Sequence, residues 1–255
     1  MGETKKKKEP LLNSTMSLGD HLEELRIRLL LALGGLAVAF IICLFFGKYI
    51  ITLIKMPYAT VMGEDATLTT LAPAEVIVSY VKISLISGLI LSSVWVFYQI
   101  WMFVAAGLYP HEKRYIHIAV PFSAALFVTG ALFFLFIVAP LCLRFFIKFG
   151  DMLGLTRTWT LQYYISFITH LMLVFGIAFQ TPTAIFFLNK IGLVSLKALT
   201  RSRKYVVLVI VIVAAMATPP DVISQIALAI PLYGLFELGI LLSYFANRRK
   251  DRSEQ

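Results

Sequence analysis

His21-Leu22-Glu23-Glu24-Leu25-Arg26-Ile27-Arg28 runs without a break into the apolar segment from Leu29 to Phe46, so a charged helical lead-in stands at the mouth of a membrane span. At about 100° per residue, His21, Glu24 and Arg28 share one side, Glu23 and Arg26 another, and Leu22, Leu25 and Leu29 form the apolar stripe between them. Asp20 followed by Glu23 has capping-box spacing, which assigns Glu23 to the helix start. Glu24 has no such task. Its spacing suits an i,i+4 pair with Arg28, worth about 0.2–0.5 kcal/mol, or a role of its own.

The chain has 255 residues, 59% hydrophobic and 15% charged, with a mean hydropathy of +0.85. Soluble domains carry less apolar and more charged sequence, so the fold class is an all-α polytopic membrane protein. The first apolar run is too long for the core of a signal peptide and no small-residue cleavage site follows it, so it reads as a retained span. Cys43 and Cys142 lie in apolar runs and carry neither a redox nor a metal signal. The net charge of +9, including Lys5 to Lys8, fits membrane topology and attraction to anionic lipid better than nucleic acid.

The expected organisation is a mobile basic tail over 1–16, a six-span membrane domain over 17–247 and a basic cytoplasmic tail over 248–255. After the first span, Lys48 to Ala74 reads as an exterior loop with room for a short interfacial helix. One long second span, about Glu75 to Ala106, leads through Gly107 to Arg114 into a third, about Tyr115 to Ala139, closed by Pro140. Leu141 to Gln162 is a second exterior loop. The fourth span, about Tyr163 to Lys190, should kink near Pro182, where the ring removes a backbone hydrogen bond. A basic loop from Lys190 to Lys204 precedes two short final spans, Tyr205 to Ala217 and Val222 to Ala246, divided at Thr218-Pro219-Pro220-Asp221. The chain through Arg28 supplies six Lys and Arg, the 107–114 connection two, the 190–204 loop five and the C-terminal tail four, so seventeen of the 23 fall on one side of a six-span layout. By the positive-inside rule that side is cytoplasmic, with both termini in.

No nucleotide loop, metal motif or nucleophile elbow has catalytic spacing, so the chain is not expected to be an enzyme or to need a cofactor. Glu24 and Glu112 are acids where the topology favours bases. Each is explained by pairing with a neighbouring base or, together, by a site for planar guanidinium groups on a partner. Within the bilayer Glu237 and Lys82 are the costly residues. Lys82 suits snorkelling, with Glu75 two turns before it; Glu237 suits a structural carboxyl. His170, Gln180, Thr218 and Gln225 are candidate inter-helix hydrogen-bonders, and Asp221 a helix cap. A rival function is a proton-coupled secondary transporter of a small solute, with Glu237, Lys82 and Gln180 lining a midplane site; it calls for an internal repeat, and none is convincing.

Four motifs in order, HLEELRIR (His21 to Arg28), QIWMF with GLYPHEKR (Gln99 to Arg114), FGIAFQTP (Phe175 to Pro182) and TPPDVISQ with AIPLYGLFELG (Thr218 to Gly239), resemble the TatC family, the core receptor subunit of the twin-arginine protein translocase. The resemblance covers about residues 16 to 247. It implies a concave six-span bundle in the bacterial cytoplasmic (inner) membrane that binds the twin-arginine signal peptides of folded cargo and assembles an export machinery driven by the proton motive force. It places Glu24 and Glu112 in the signal-peptide site, with Arg26, Phe103, Lys113 and Arg114 around them. Pro57 and Asp221 match positions needed for activity or shape. Thr218 and Gln225 match a patch where single-span partners of the TatA and TatB type dock, within a multimeric complex. Where the family usually has proline this chain has Val94 and Ala106, which removes the sequence ground for bends in the second helix. Gln180 stands where many relatives carry Glu, which leaves it a hydrogen-bonding role.

Overall fold

A computed structural model describes residues 18–63, 67–107, 116–154, 159–217 and 222–253. The expected N-terminal tail and most of the 107–114 connection, with Glu112, Lys113 and Arg114, lie outside them, as do Thr218 and Asp221. Among the described residues the architecture is helical, with one isolated bridge between Thr69 and Thr160. Among the described residues five stretches are long and apolar enough to cross a membrane: His21–Phe45, Pro73–Leu91, Ile116–Met152, Leu161–Lys190 and Gln225–Phe245.

Helix α1, Leu18–Phe45, begins two residues before Asp20, so the expected capping box falls inside the first turn rather than at its boundary. Acidic residues there still complement the positive end of the helix dipole. The first exterior segment is a helix, α2, Gly47–Met62, with Pro57 inside it and buried. One face of this helix is buried by Ile54 and Tyr58. Its backbone is tied to the bundle by the Tyr164 hydroxyl, which donates to the Ile54 carbonyl at 2.7 Å.

The second span is one helical path whose two parts, α3, Pro73–Leu91, and α4, Ser93–Ala106, meet at Ser92. The Ser92 amide donates to the Gly88 carbonyl at 2.8 Å and the Val96 amide to the Ser92 carbonyl at 2.9 Å, so helical phase carries across. The Ser92 hydroxyl donates back to the Leu89 carbonyl at 3.4 Å, and Ser92 and Ser93 are both buried. A serine hydroxyl bonded to its own preceding turn perturbs a helix locally without proline, so Val94 leaves the path of the span intact. The third span runs straight through Pro140: α5, Ile116–Phe133, passes through a π segment, Phe134–Val138, into α6, Ala139–Met152. The Ala139 amide reaches back to the Phe134 carbonyl, and this widened turn accommodates the proline ring at the start of α6, where a missing N–H costs little. Half of the expected second exterior loop is therefore helix.

The break at Pro182 appears as expected, between α7, Leu161–Ala178, and α8, Thr181–Lys190. The basic loop contains a six-residue helix, α9, Leu196–Arg201, followed by α10, Arg203–Ala217, and α11, Val222–Ser253. With 15 residues α10 is short, as expected; α11 is not, being 32 residues long and running on into the C-terminal tail.

Helix α1 packs on α3 and α4, α5 on α4 and α7, and α11 on α8 and α10. Phe134, Leu135, Ile165, Ile168 and Phe175 make the wholly buried centre. At Gly88 the α1 backbone approaches so closely that a Cβ would stand 2.9 Å from Phe40 Cα and N, the small-residue contact of membrane helices. Outside, Leu29, Leu30, Ile41 and Phe45 of α1 face outward, where hydrocarbon replaces water as solvent.

Candidate functional site

Four helix ends meet at one end of the bundle. Trp101 and Ala105 of α4, Ile116 and Val120 of α5 and Phe187 of α8 form one apolar cluster, and His21 of α1 stacks on Phe103 with ring centroids 4.5 Å apart. Beside that stack Arg28 forks: its Nε donates to Glu24 Oε1 at 2.7 Å, and its Nη1 donates to Gln99 Oε1 at 3.2 Å. The helical repeat puts Glu24 one turn before Arg28, and Gln99 lies on the buried face of α4, only 2% exposed. So the i,i+4 pair expected for Glu24 forms, and the fixed amide of a second helix holds its cation.

The Glu24 and Arg28 side chains are 24% and 22% exposed, between a solvated surface pair and a dry one. That matters chemically. A carboxylate offers about four lone-pair directions over two oxygens, so a second guanidinium can bind where Arg28 already occupies Oε1. Arg26 is exposed on the other side of α1, and Phe103 is half-buried beneath His21.

The pairing of Gln99 with Arg28 could not be read from the sequence, because the two lie 71 positions apart in the chain. Below it Trp101 donates from Nε1 to Ser123 Oγ at 3.0 Å, and Gln180 donates from Nε2 to the Ser123 carbonyl at 2.8 Å. Ser123 thus joins α4, α5 and the α7–α8 break. The inter-helix role of Gln180 appears as expected, as does that of Gln225, which donates to the Val211 carbonyl at 3.0 Å. His170 does not share it: it is exposed.

The costly intramembrane residues find partners the sequence did not pair. Lys82 Nζ donates to Ser166 Oγ at 2.9 Å rather than reaching towards Glu75. Glu75, only 4% exposed, accepts from the Leu71 and Gln162 amides at 2.8 and 2.6 Å and so fastens two chain segments at the opposite end of the bundle. Glu237 takes Arg203 in a two-pronged ion pair at 2.8 and 2.9 Å and accepts from the Tyr233 hydroxyl at 2.7 Å. Glu237, Lys82 and Gln180 therefore engage three separate sets of neighbours and do not converge on a midplane site. Among the described residues no group of three or more His, Cys, Asp or Glu is placed to hold a metal ion.

The family model described as "Sec-independent protein translocase protein (TatC)" matches residues 20–231. A protein of that description from Helicobacter pylori (strain J99) is 40% identical over 230 residues, 90% of each chain. One from Aquifex aeolicus is 38% identical over 92% of this chain and 98% of its own. A crystal structure described as the twin arginine translocase receptor TatC superposes with a TM-score of 0.80 at 36% identity, covering 89% of this chain and 99% of that one.

Proposed function

The chain belongs to the TatC family, and from that membership we propose that it is the receptor of a twin-arginine translocase, binding the consecutive arginines of signal peptides through Glu24 and Glu112. It is a multi-pass membrane protein with a role in Sec-independent protein translocation, in a complex with other subunits. The finer reading rests above all on the Glu24 carboxylate, which Arg28 and the buried Gln99 hold in one orientation at the end of the bundle where four helices meet.

A guanidinium is planar, always charged and able to donate two parallel bonds, so a carboxylate fixed in advance recognises it at lower entropic cost than a free one. Partial shielding is the decisive quantity. Fully exposed pairs contribute about 0–1 kcal/mol, whereas charge-assisted bonds sheltered from water contribute about 1.5–3 kcal/mol each, enough for two of them to tell an arginine pair from other dipeptides. In this reading Arg26, Lys113 and Arg114 set the local potential, Phe103 supports the wall, and the end carrying these residues faces the cytoplasm across a bacterial inner membrane. Pro57 and Asp221 shape the ends of the bundle, Gln180 ties the broken fourth span to α5, and the α10–α11 surface with Thr218 and Gln225 receives single-span partners of the TatA and TatB type.

Site-specific crosslinking of a twin-arginine signal peptide tests the proposal: Glu24→Ala and Glu112→Ala should each lower the yield sharply. Unchanged yields in both variants remove these residues from the site.

A further inference from the structure

Helices α9 and α10 are divided at Ser202 only in name: the Ser202 amide donates to the Ala198 carbonyl and the Val206 amide to the Ser202 carbonyl, both at 3.0 Å, so helical phase carries across. With that phase, Leu196, Thr200 and Arg203 form one stripe, which together with Leu238, Ile240, Leu241 and Tyr244 of α11 lines a groove of about 470 Å³. The groove is apolar apart from the Arg203–Glu237 pair and Thr200, and Leu238, Leu241 and Tyr244 are exposed along it.

One residue further round the helix, Lys197, Arg201 and Lys204 form a second stripe with the same spacing, and all three are exposed. From Lys190 to Phe245 the sequence has five basic residues against two acids, Asp221 and Glu237. Glu237 is taken by Arg203. Among the described residues no carboxylate pairs with Lys197, Arg201 or Lys204. Lys204 Nζ lies 5.0 Å from the Tyr205 ring centroid, the aromatic-and-cation pairing of a membrane boundary.

We propose that this groove, flanked by Lys197, Arg201 and Lys204, is a binding site for an anionic phospholipid. Acyl chain and headgroup have different demands, and the two stripes meet them separately: an apolar channel on an outward-facing membrane helix for the one, three unneutralised cations beside it for the phosphate of the other. A zwitterionic lipid satisfies the channel but gains little from the cations, and free phosphate gains nothing from the channel.

Native mass spectrometry of the full chain in detergent, with dioleoylphosphatidylglycerol or dioleoylphosphatidylcholine added, measures this directly. Each basic residue near an anionic headgroup is worth about fivefold, so the phosphatidylglycerol adduct should exceed the phosphatidylcholine adduct by at least about tenfold, and Lys197→Gln/Arg201→Gln/Lys204→Gln should remove the difference. Leu241→Trp, which fills the channel, should weaken both adducts; the triple variant changes only exposed residues and carries the test if the tryptophan variant does not fold. Equal retention of the two lipids, a preference that survives the triple variant, or displacement of phosphatidylglycerol by millimolar inorganic phosphate alone overturns the proposal. So does displacement by an acidic helical peptide without loss in the triple variant, which makes the groove a protein-docking surface.

Discussion

Arg28→Lys tests whether the forked guanidinium positions Glu24 for its guest. The ammonium keeps the charge but is a point donor, and it cannot span Glu24 Oε1 at 2.7 Å and Gln99 Oε1 at 3.2 Å with the flat geometry of arginine. One hydrogen bond to a charged group is lost, about 1.5–3 kcal/mol when sheltered. With both side chains roughly a quarter exposed the lower end of that range applies, about 1.5 kcal/mol, or slightly more than tenfold in affinity. Gln99→Leu removes the same tether from the other side and should weaken binding by a similar factor. Because both changes cut one chain of contacts, the double variant should lose no more than the worse single variant. Anisotropy of a labelled twin-arginine peptide with the purified protein reads all three, with thermal unfolding as a control for fold. Additive losses, or no loss in Gln99→Leu, refute the tether. Tighter binding in either variant reverses the sign and makes Arg28 a competitor for the carboxylate.

Three further outcomes follow from packing and length. Gly88→Ile should destabilise the bundle by about 1–3 kcal/mol or more, since even a Cβ stands 2.9 Å from the Phe40 backbone, and a denaturant titration in detergent that matches the parent contradicts this. Glu75→Ala leaves the Leu71 and Gln162 amides without their carboxylate and should cost about 2–3 kcal/mol in the same titration, with protease sensitivity rising around 67–72; parental stability and protease resistance would sink the fastening role. Adding four leucines to the 15-residue α10 should impair export of a twin-arginine reporter, because a short span thins the bilayer locally and each ångström of mismatch costs a fraction of a kcal/mol; normal export ends that idea.

Periodicity and hydropathy marked the spans because they depend only on neighbours in the chain: the break at Pro182, the brevity of α10 and the Glu24–Arg28 pair were all readable there. A short interfacial helix was readable between Lys48 and Ala74, but its 16-residue extent and the helical α6 were not, because polar and aromatic residues that read as loop are held in helix by burial against one another, as where Tyr58 and Phe146 both meet Trp159. The chain's passage through Pro140 was missed because a π turn leaves no compositional mark.

Covalent neighbours and helical phase are enough to dictate a membrane-spanning helical chain, its approximate breaks and the charged lead-in at His21 to Arg28. The pairings that depend on packing appear only in the folded chain: Gln99 steadying Arg28, Arg203 neutralising Glu237, Glu75 fastening two segments and Lys82 turning to Ser166. A polar side chain within a bundle takes the nearest complementary group in space, and for Arg28, Glu75 and Lys82 one such group lies on a distant stretch of chain.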